Sequence, residues 1–218
     1  MSTDAVDYPI SLAIEDFAPV LFTTAGVLLL RRVLGGGPVP VAAAVFIGAG
    51  GLTKAGAKLI AAAGGPAPPW LSEMLFPLLT LGFGLLCTAA ARTRTGTSPR
   101  WLRYLVVGLT SACGLGALLA RDSIPMLVST TVFATITGIY LIGIARDRGD
   151  TVAAGLFGVQ LLSFYVLGPL ASRPDQTVAL QWIEQLCNTA AQAAFLAAAW
   201  RLAAATAVSE KALQPGDE

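Results

Sequence analysis

The chain has 218 residues, of which 55% are hydrophobic and only 12% charged, with a formal net charge of +1. Its mean hydropathy is +0.71, and the apolar residues come in long blocks of about 20, the length of a membrane-crossing helix. These features exclude an ordinary soluble enzyme and a basic-faced nucleic-acid binder, so no nucleic acid is expected as a partner.

The N-terminus, Met1 to Asp7, is polar and acidic. It lacks the basic start and small-residue cleavage site of a signal peptide, so the first helix is expected to be retained. Seven apolar blocks follow: Tyr8 to Leu30, Pro40 to Ala63, Trp70 to Ala91, Tyr104 to Ala120, Ser123 to Ala145, Thr151 to Ser172 and Thr177 to Ala205. Between them stand Gly/Pro and charged clusters that would be costly inside a lipid-facing helix, such as Gly35-Gly36-Gly37-Pro38 and Arg146-Asp147-Arg148-Gly149-Asp150. Tyr104 to Ala120 is the shortest block. The expected fold is therefore all-α, a polytopic bundle of seven transmembrane helices. Residues 1–207 form one domain and 208–218 a disordered cytoplasmic tail.

The cationic residues set the orientation. With the N-terminus outside, ten lie on the inner side (Arg31, Arg32, Arg92, Arg94, Arg100, Arg103, Arg146, Arg148, Arg201, Lys211) and four outside (Lys54, Lys58, Arg121, Arg173). The positive-inside rule then places the C-terminus inside a cell membrane, the inner membrane of a two-membrane cell. The arginines between Arg92 and Arg103 suit lipid headgroups, which makes membrane lipids expected partners.

A weak internal repeat pairs Trp70-Leu71-Ser72-Glu73 with Trp182-Ile183-Glu184, and Ala44-Val45-Phe46-Ile47-Gly48 with Ala154-Gly155-Leu156-Phe157-Gly158. Helices one to three would then recur in parallel as five to seven, with the fourth as a linker, as in some transporters. This 3+1+3 plan resembles that of the SWEET sugar transporters, across the whole chain but without a shared motif. The helix count is also similar to that of microbial rhodopsins, although the seventh block has no Lys for a retinal Schiff base. Neither resemblance assigns a family.

Ionisable residues within membrane segments point by default to function. They concentrate toward the outer side: Glu15 and Asp16 in the first block, Lys54 and Lys58 in the second, Glu73 in the third, Glu184 in the seventh. Gln181, Glu184 or Gln185, Asn188 and Gln192 recur every three or four residues and share one helix face. Lys54 and Lys58 share another, and Glu73, Pro77 and Thr80 a third. Such stripes turn inward, because hydrocarbon offers no hydrogen bonds. The candidate substrate-binding residues are thus Lys54, Glu73, Glu184, Asn188, Gln192, Asp16, Lys58 and Gln181. The lysines would hold an anion or pair with Glu73 and Glu184, and the amides would read hydroxyls or amides. Gln160, Ser163 and Tyr165 can face the same space, whereas Ser129, Thr130, Thr131, Thr135 and Thr137 read as helix residues bonded back to their own backbone. Pro19, Pro77 and Pro169 can bend their helices.

His is absent, which removes Ser–His catalysis and His-ligated metal sites. Cys87, Cys113 and Cys187 stand alone without CxxC spacing and read as apolar filler. No metal or cofactor is expected. The leading expectation is binding and translocation of a small polar or anionic solute. An intramembrane enzyme acting on a lipid or isoprenoid substrate, with Glu73 or Glu184 as general acid, is the main alternative. A sensor or assembly subunit is the third, and a homo-oligomer is compatible with all of them.

Overall fold

Proline and glycine place the helix boundaries. The computed structural model describes the backbone of residues 9–171 and 177–212, and the side chains of residues 9–167 and 177–209. The acidic start, the Arg173-Pro174-Asp175 turn, the end of the tail, and the side chains of Pro169 and Lys211 lie outside the described residues. The first block is two helices, α1 (Ile10–Glu15) and α2 (Phe17–Val33). The third is likewise α4 (Pro69–Glu73) and α5 (Leu75–Thr95). Each break has the same cause. Pro19 and Pro77 have no N–H for the carbonyls of Glu15 and Glu73, four residues earlier, and the helix yields there.

The remaining helices are α3 (Pro38–Ala62), α6 (Arg100–Ala120), α7 (Ile124–Asp147), α8 (Thr151–Ala171) and α9 (Val178–Ala212). After α2, Gly35 and Gly36 take positive φ of 86° and 71°, and the Gly36 N–H closes on the Arg31 carbonyl at 2.8 Å. Pro38 then opens α3, where its missing N–H costs nothing. Several helices run past the blocks read from the sequence, such as α5, which ends at Thr95 rather than Ala91, and two of these shifts matter most. α6 begins at Arg100 rather than Tyr104, so the shortest block becomes a helix of full spanning length. α9 runs to Ala212, through the first five residues of the expected tail.

Six spans are long and apolar enough to cross a membrane: Ile10–Val33, Pro38–Ala62, Pro69–Thr95, Arg100–Ala120, Ile124–Asp147 and Val178–Ser209. At 1.5 Å per residue each exceeds about 30 Å. α8 adds a shorter apolar stretch, Thr151–Leu167. Large apolar side chains cover the outside, among them Leu21, Val45, Val107, Leu118, Leu119 and Leu162. Water would penalise such a surface and lipid does not. The chain is an integral membrane protein of the multi-pass, all-helical class.

The helices close into a circuit. α2 packs on α3 and α9, α3 on α5, α5 on α7, α7 on α8, and α8 on α9. α6 stands outside, against α7 and the edge of α5, and only its Leu102 is buried. Val27, Leu30, Phe83, Leu86, Phe133, Leu141, Phe157, Phe195 and Leu202 fill the interior. Phe157 and Phe195 meet edge to face at 5.7 Å between centroids. Gly26 lets α2 approach α9: a Cβ there would lie 2.6 Å from the Phe195 ring.

The end holding the last turns of α2, α5, α7 and α9 is the arginine end. Asp150 caps α8 by accepting the Ala153 N–H at 2.9 Å, and the Arg201 guanidinium grips the same carboxylate through Nε and Nη2 at 3.1 Å. Arg148 donates to Thr206 at 2.8 Å, and Arg94 joins α5 to α7 by pairing with Asp147 at 3.1 Å. The backbone N–H of Ala153 and the Arg201 charge hold the Asp150 carboxyl below the ordinary carboxylate range.

Two expectations follow. Gly26→Ala should lower the unfolding temperature in detergent despite alanine's better helix propensity, by about 1–3 kcal/mol of overpacking. Gly56→Ala, on α3 with nothing within 4 Å of the added methyl, should be neutral or raise it. A carboxylate whose folded pKa is depressed stabilises the fold above its unfolded pKa, and this is lost as pH falls through the folded value. Wild type should therefore outlast Asp150→Asn at neutral pH, and the gap in melting temperature should close below about pH 4.

Candidate functional site

On α9 one face changes character along its length. Gln181, Gln185, Asn188 and Gln192 continue in the same register as Phe195, Ala199 and Leu202, all three of which are buried in the core. The polar part lies toward the end that holds the start of α1, the N-terminal end. It stops at the Phe157–Phe195 contact.

The polar groups meet α1 and α2. The Thr23 hydroxyl lies 2.7 Å from the Pro19 carbonyl and 3.0 Å from Gln192 Oε1. Gln192 Nε2 donates to Asn188 Oδ1 at 3.4 Å. One turn further out, Thr189 donates to Glu15 Oε1 at 2.7 Å. Gln192 and Gln185 are buried, at 5% and 9% exposure. Gln181, Glu184 and Asn188 are half-buried.

Four buried side-chain polar atoms among the described residues have no hydrogen-bond partner: Gln181 Oε1, Gln185 Nε2, Ser98 Oγ and Thr137 Oγ1. Ser98 lies in the α5–α6 connection, and Thr137 stands beside the Cys87 thiol, a weak partner. The two glutamines differ. They sit one turn apart on a single buried face and present one acceptor and one donor together. An orphaned buried polar group costs about 1–3 kcal/mol, and two of the four fall on this one face.

The candidate residues fall into three places. Asp16, at the α1–α2 break, pairs with Lys58 of α3 at 2.8 Å, with only 11% of the Asp16 side chain exposed. Lys54 lies within electrostatic reach of both but is exposed on α3, where its four-carbon stem can carry the charge toward the membrane surface. Gln181, Glu184, Asn188 and Gln192 share α9. Glu73 is exposed on α4, and among the described residues no hydrogen bond or ion pair joins it to the other candidates. The Lys58–Asp16 ion pair joins α3 to the first span.

A second polar seam lies between α5 and α7, also toward the N-terminal end. Thr80, fully buried, stands 2.8 Å from Ser129 Oγ and 2.9 Å from Thr130 Oγ1. Its hydroxyl also lies 3.1 Å from the Met126 carbonyl, and Thr130 reaches the Phe76 carbonyl at 3.3 Å. Thr131 and Thr135 bond back to their own helix as expected, and so does Ser129, at 2.9 Å from the Met126 carbonyl, while also meeting Thr80; Thr130 crosses to α5. Tyr165 meets Thr135 at 2.6 Å, and Gln160 is buried one turn from Phe157. Thr23, Thr189 and Glu15 as a hydrogen-bond acceptor are the contributors that the stripe of candidates did not weigh, and Gln185, the alternative to Glu184 in that stripe, is the buried one of the two. Register offers a signal for Thr189 alone, which sits one turn from Gln185 and Gln192.

Two shallow grooves occur at the arginine end, around Arg31, Gly36 and Pro38, and none of the polar candidates lines them. Comparison with protein-family models, curated proteins and solved structures finds no match to this chain.

The hydroxyl cluster makes a direct prediction. Thr80→Val should cost about 1–3 kcal/mol by stranding Ser129 and Thr130, read as a drop in melting temperature. Thr131→Val, on the exposed face, should change it by less than about 0.5 kcal/mol.

Proposed function

We propose that this membrane protein, with its N-terminus outside and C-terminus inside the cell membrane, binds and translocates a small polar solute. The site is the α9 face facing α1 and α2. The observation that carries this reading is the pair of orphaned amide atoms, Gln181 Oε1 and Gln185 Nε2, on a buried face whose polar half ends at an aromatic contact.

An acceptor and a donor one turn apart match a group that itself donates and accepts, a primary amide or a hydroxyl. Binding would satisfy both atoms at once. Asn188 and Gln192 extend the same ladder inward, and Glu184 flanks it. Lys54 and the Asp16–Lys58 pair lie on the neighbouring α3 side and would favour a solute bearing a negative charge at its other end. Phe157 and Phe195 close the way toward the arginine end, so passage requires the helices to move. The 3+1+3 repeat supplies two units that can move relative to each other.

Gln185→Met separates this role from helix gluing, because it removes the orphan amide while keeping volume. The empty protein should be as stable as wild type or more so. Stabilisation by a panel of amide- and hydroxyl-bearing metabolites, and their flux into proteoliposomes, should be lost. A variant that melts earlier, from a wild type that no compound stabilises, would show the ladder to be structural.

A further inference from the structure

The two polar seams occupy matching places in the chain. Pro19-Val20-Leu21-Phe22-Thr23-Thr24 of α2 reads against Pro125-Met126-Leu127-Val128-Ser129-Thr130 of α7: Pro, Leu and Thr coincide, and the other positions stay apolar or hydroxyl. In the register that sets Trp70 on Trp182, Thr80 falls on Gln192 and Phe83 on Phe195. The two alignments were drawn on different helices, yet they agree on contacts. Thr23 meets Gln192 at 3.0 Å, and their counterparts Ser129 and Thr80 meet at 2.8 Å. Helix pairing agrees as well. Exchanging α2, α3 and α5 with α7, α8 and α9 maps α2–α3 onto α7–α8, α3–α5 onto α8–α9, and α5–α7 onto α9–α2, and each is an observed packing pair. α6 has no counterpart and lies outside the circuit.

The matching seams are chemically unequal. At α5–α7 three buried hydroxyls satisfy one another and two backbone carbonyls, and Arg94–Asp147 ties the same two helices at the arginine end. At α2–α9 the hydroxyl's counterpart is an amide, linked by a 3.4 Å bond to the next amide, and two orphaned amide atoms lie further along the same face. The apolar half of α2–α9 is held by the close approach of Gly26 to Phe195. Opening the first seam strands three fully or nearly buried hydroxyls, whereas opening the second above Phe195 breaks the bonds of half-buried Thr23 and Thr189 and gives two orphaned atoms access to partners.

We infer that the circuit is a quasi-two-fold pair of three-helix units whose two joints have diverged: α5–α7 stays shut, and α2–α9 parts above Phe195 to admit the solute. Only the identity of what enters rests on the proposed function.

Single cysteines at 185 and 188 of α9, and at 80 and 129 of the other joint, test this in the full chain in membranes. Cys113 and Cys187 are replaced by Ala, and fully buried Cys87 serves as the blank. The probe is a membrane-impermeant cationic methanethiosulfonate added on the N-terminal side. Gln185→Cys and Asn188→Cys should react at least about tenfold faster than Thr80→Cys and Ser129→Cys. Bridging a Thr23→Cys, Gln192→Cys pair with a short bis-methanethiosulfonate should slow the reaction at 185 by about tenfold, and bridging Thr80→Cys with Ser129→Cys should leave it unchanged. Four equally slow sites, or equal protection by both bridges, would overturn the inference. Fast reaction at 185 and 188 without stabilisation by any solute would sink the solute reading and leave the joint standing.

Discussion

Hydrocarbon supplies no hydrogen bonds, and every polar group of this chain is arranged around that fact. The backbone meets it by forming helices joined by short connections, with Gly35, Gly36, Gly64, Gly96 and Gly149 at positive φ to turn the chain tightly. Side chains meet it by retreating to helix seams or to the ends. The large apolar groups are left to cover the outside, as α6 shows with a single buried residue.

The retreat produces a vertical division. Toward the arginine end the interior is apolar, built on Leu30, Leu86, Leu141 and Leu202, and charge is spent on caps and clamps such as Arg201 on Asp150. Toward the N-terminal end the seams are polar, with Thr23, Thr80, Ser129, Thr130 and Gln192 inside and Asp16–Lys58 nearer the surface. α9 spans both zones on one face, so a polar group that enters along it meets amides first and the Phe195 ring last. Under the proposed function, that order holds a solute partway across.

The sequence made part of this legible. Long apolar blocks and their punctuation mark the six long apolar spans and the shorter α8, the arginine asymmetry distinguishes the two ends, and periodicity places Gln181, Asn188 and Gln192 on one face. Other features needed coordinates. Arg100 and Arg103 resemble a loop by charge, but arginines belong at a helix end where their stems can reach the surface. The polar run from Ser209 to Lys211 resembles a tail by composition, yet it follows an Ala-rich turn with high helix propensity and stays helical. Lys58 has several carboxylates within plausible reach in sequence, and only packing of α1 on α3 brings Asp16 to 2.8 Å. Position near one end groups Glu73 with the other candidates, and on α4, packed against α3 and α5, its side chain is exposed.

The chemistry of the two seams bears on why amides are used at all. A hydroxyl has one donor and a small acceptor, so a few hydroxyls from two helices can satisfy each other in little space, as Thr80, Ser129 and Thr130 do. A glutamine amide brings two donors and a carbonyl on a long stem, and a row of four amides on one face asks for more partners than the facing helix offers. Thr23 meets one of them, and Asn188 and Gln192 meet each other at the limit of bonding distance. If the only task were to hold α2 against α9, hydroxyls would do it at lower cost, and the same chain shows that solution at α5–α7. Under the proposed function, the amides of Gln181 and Gln185 are groups whose partner arrives from outside the fold, and their unsatisfied atoms are the stability given up to keep that partner's place ready.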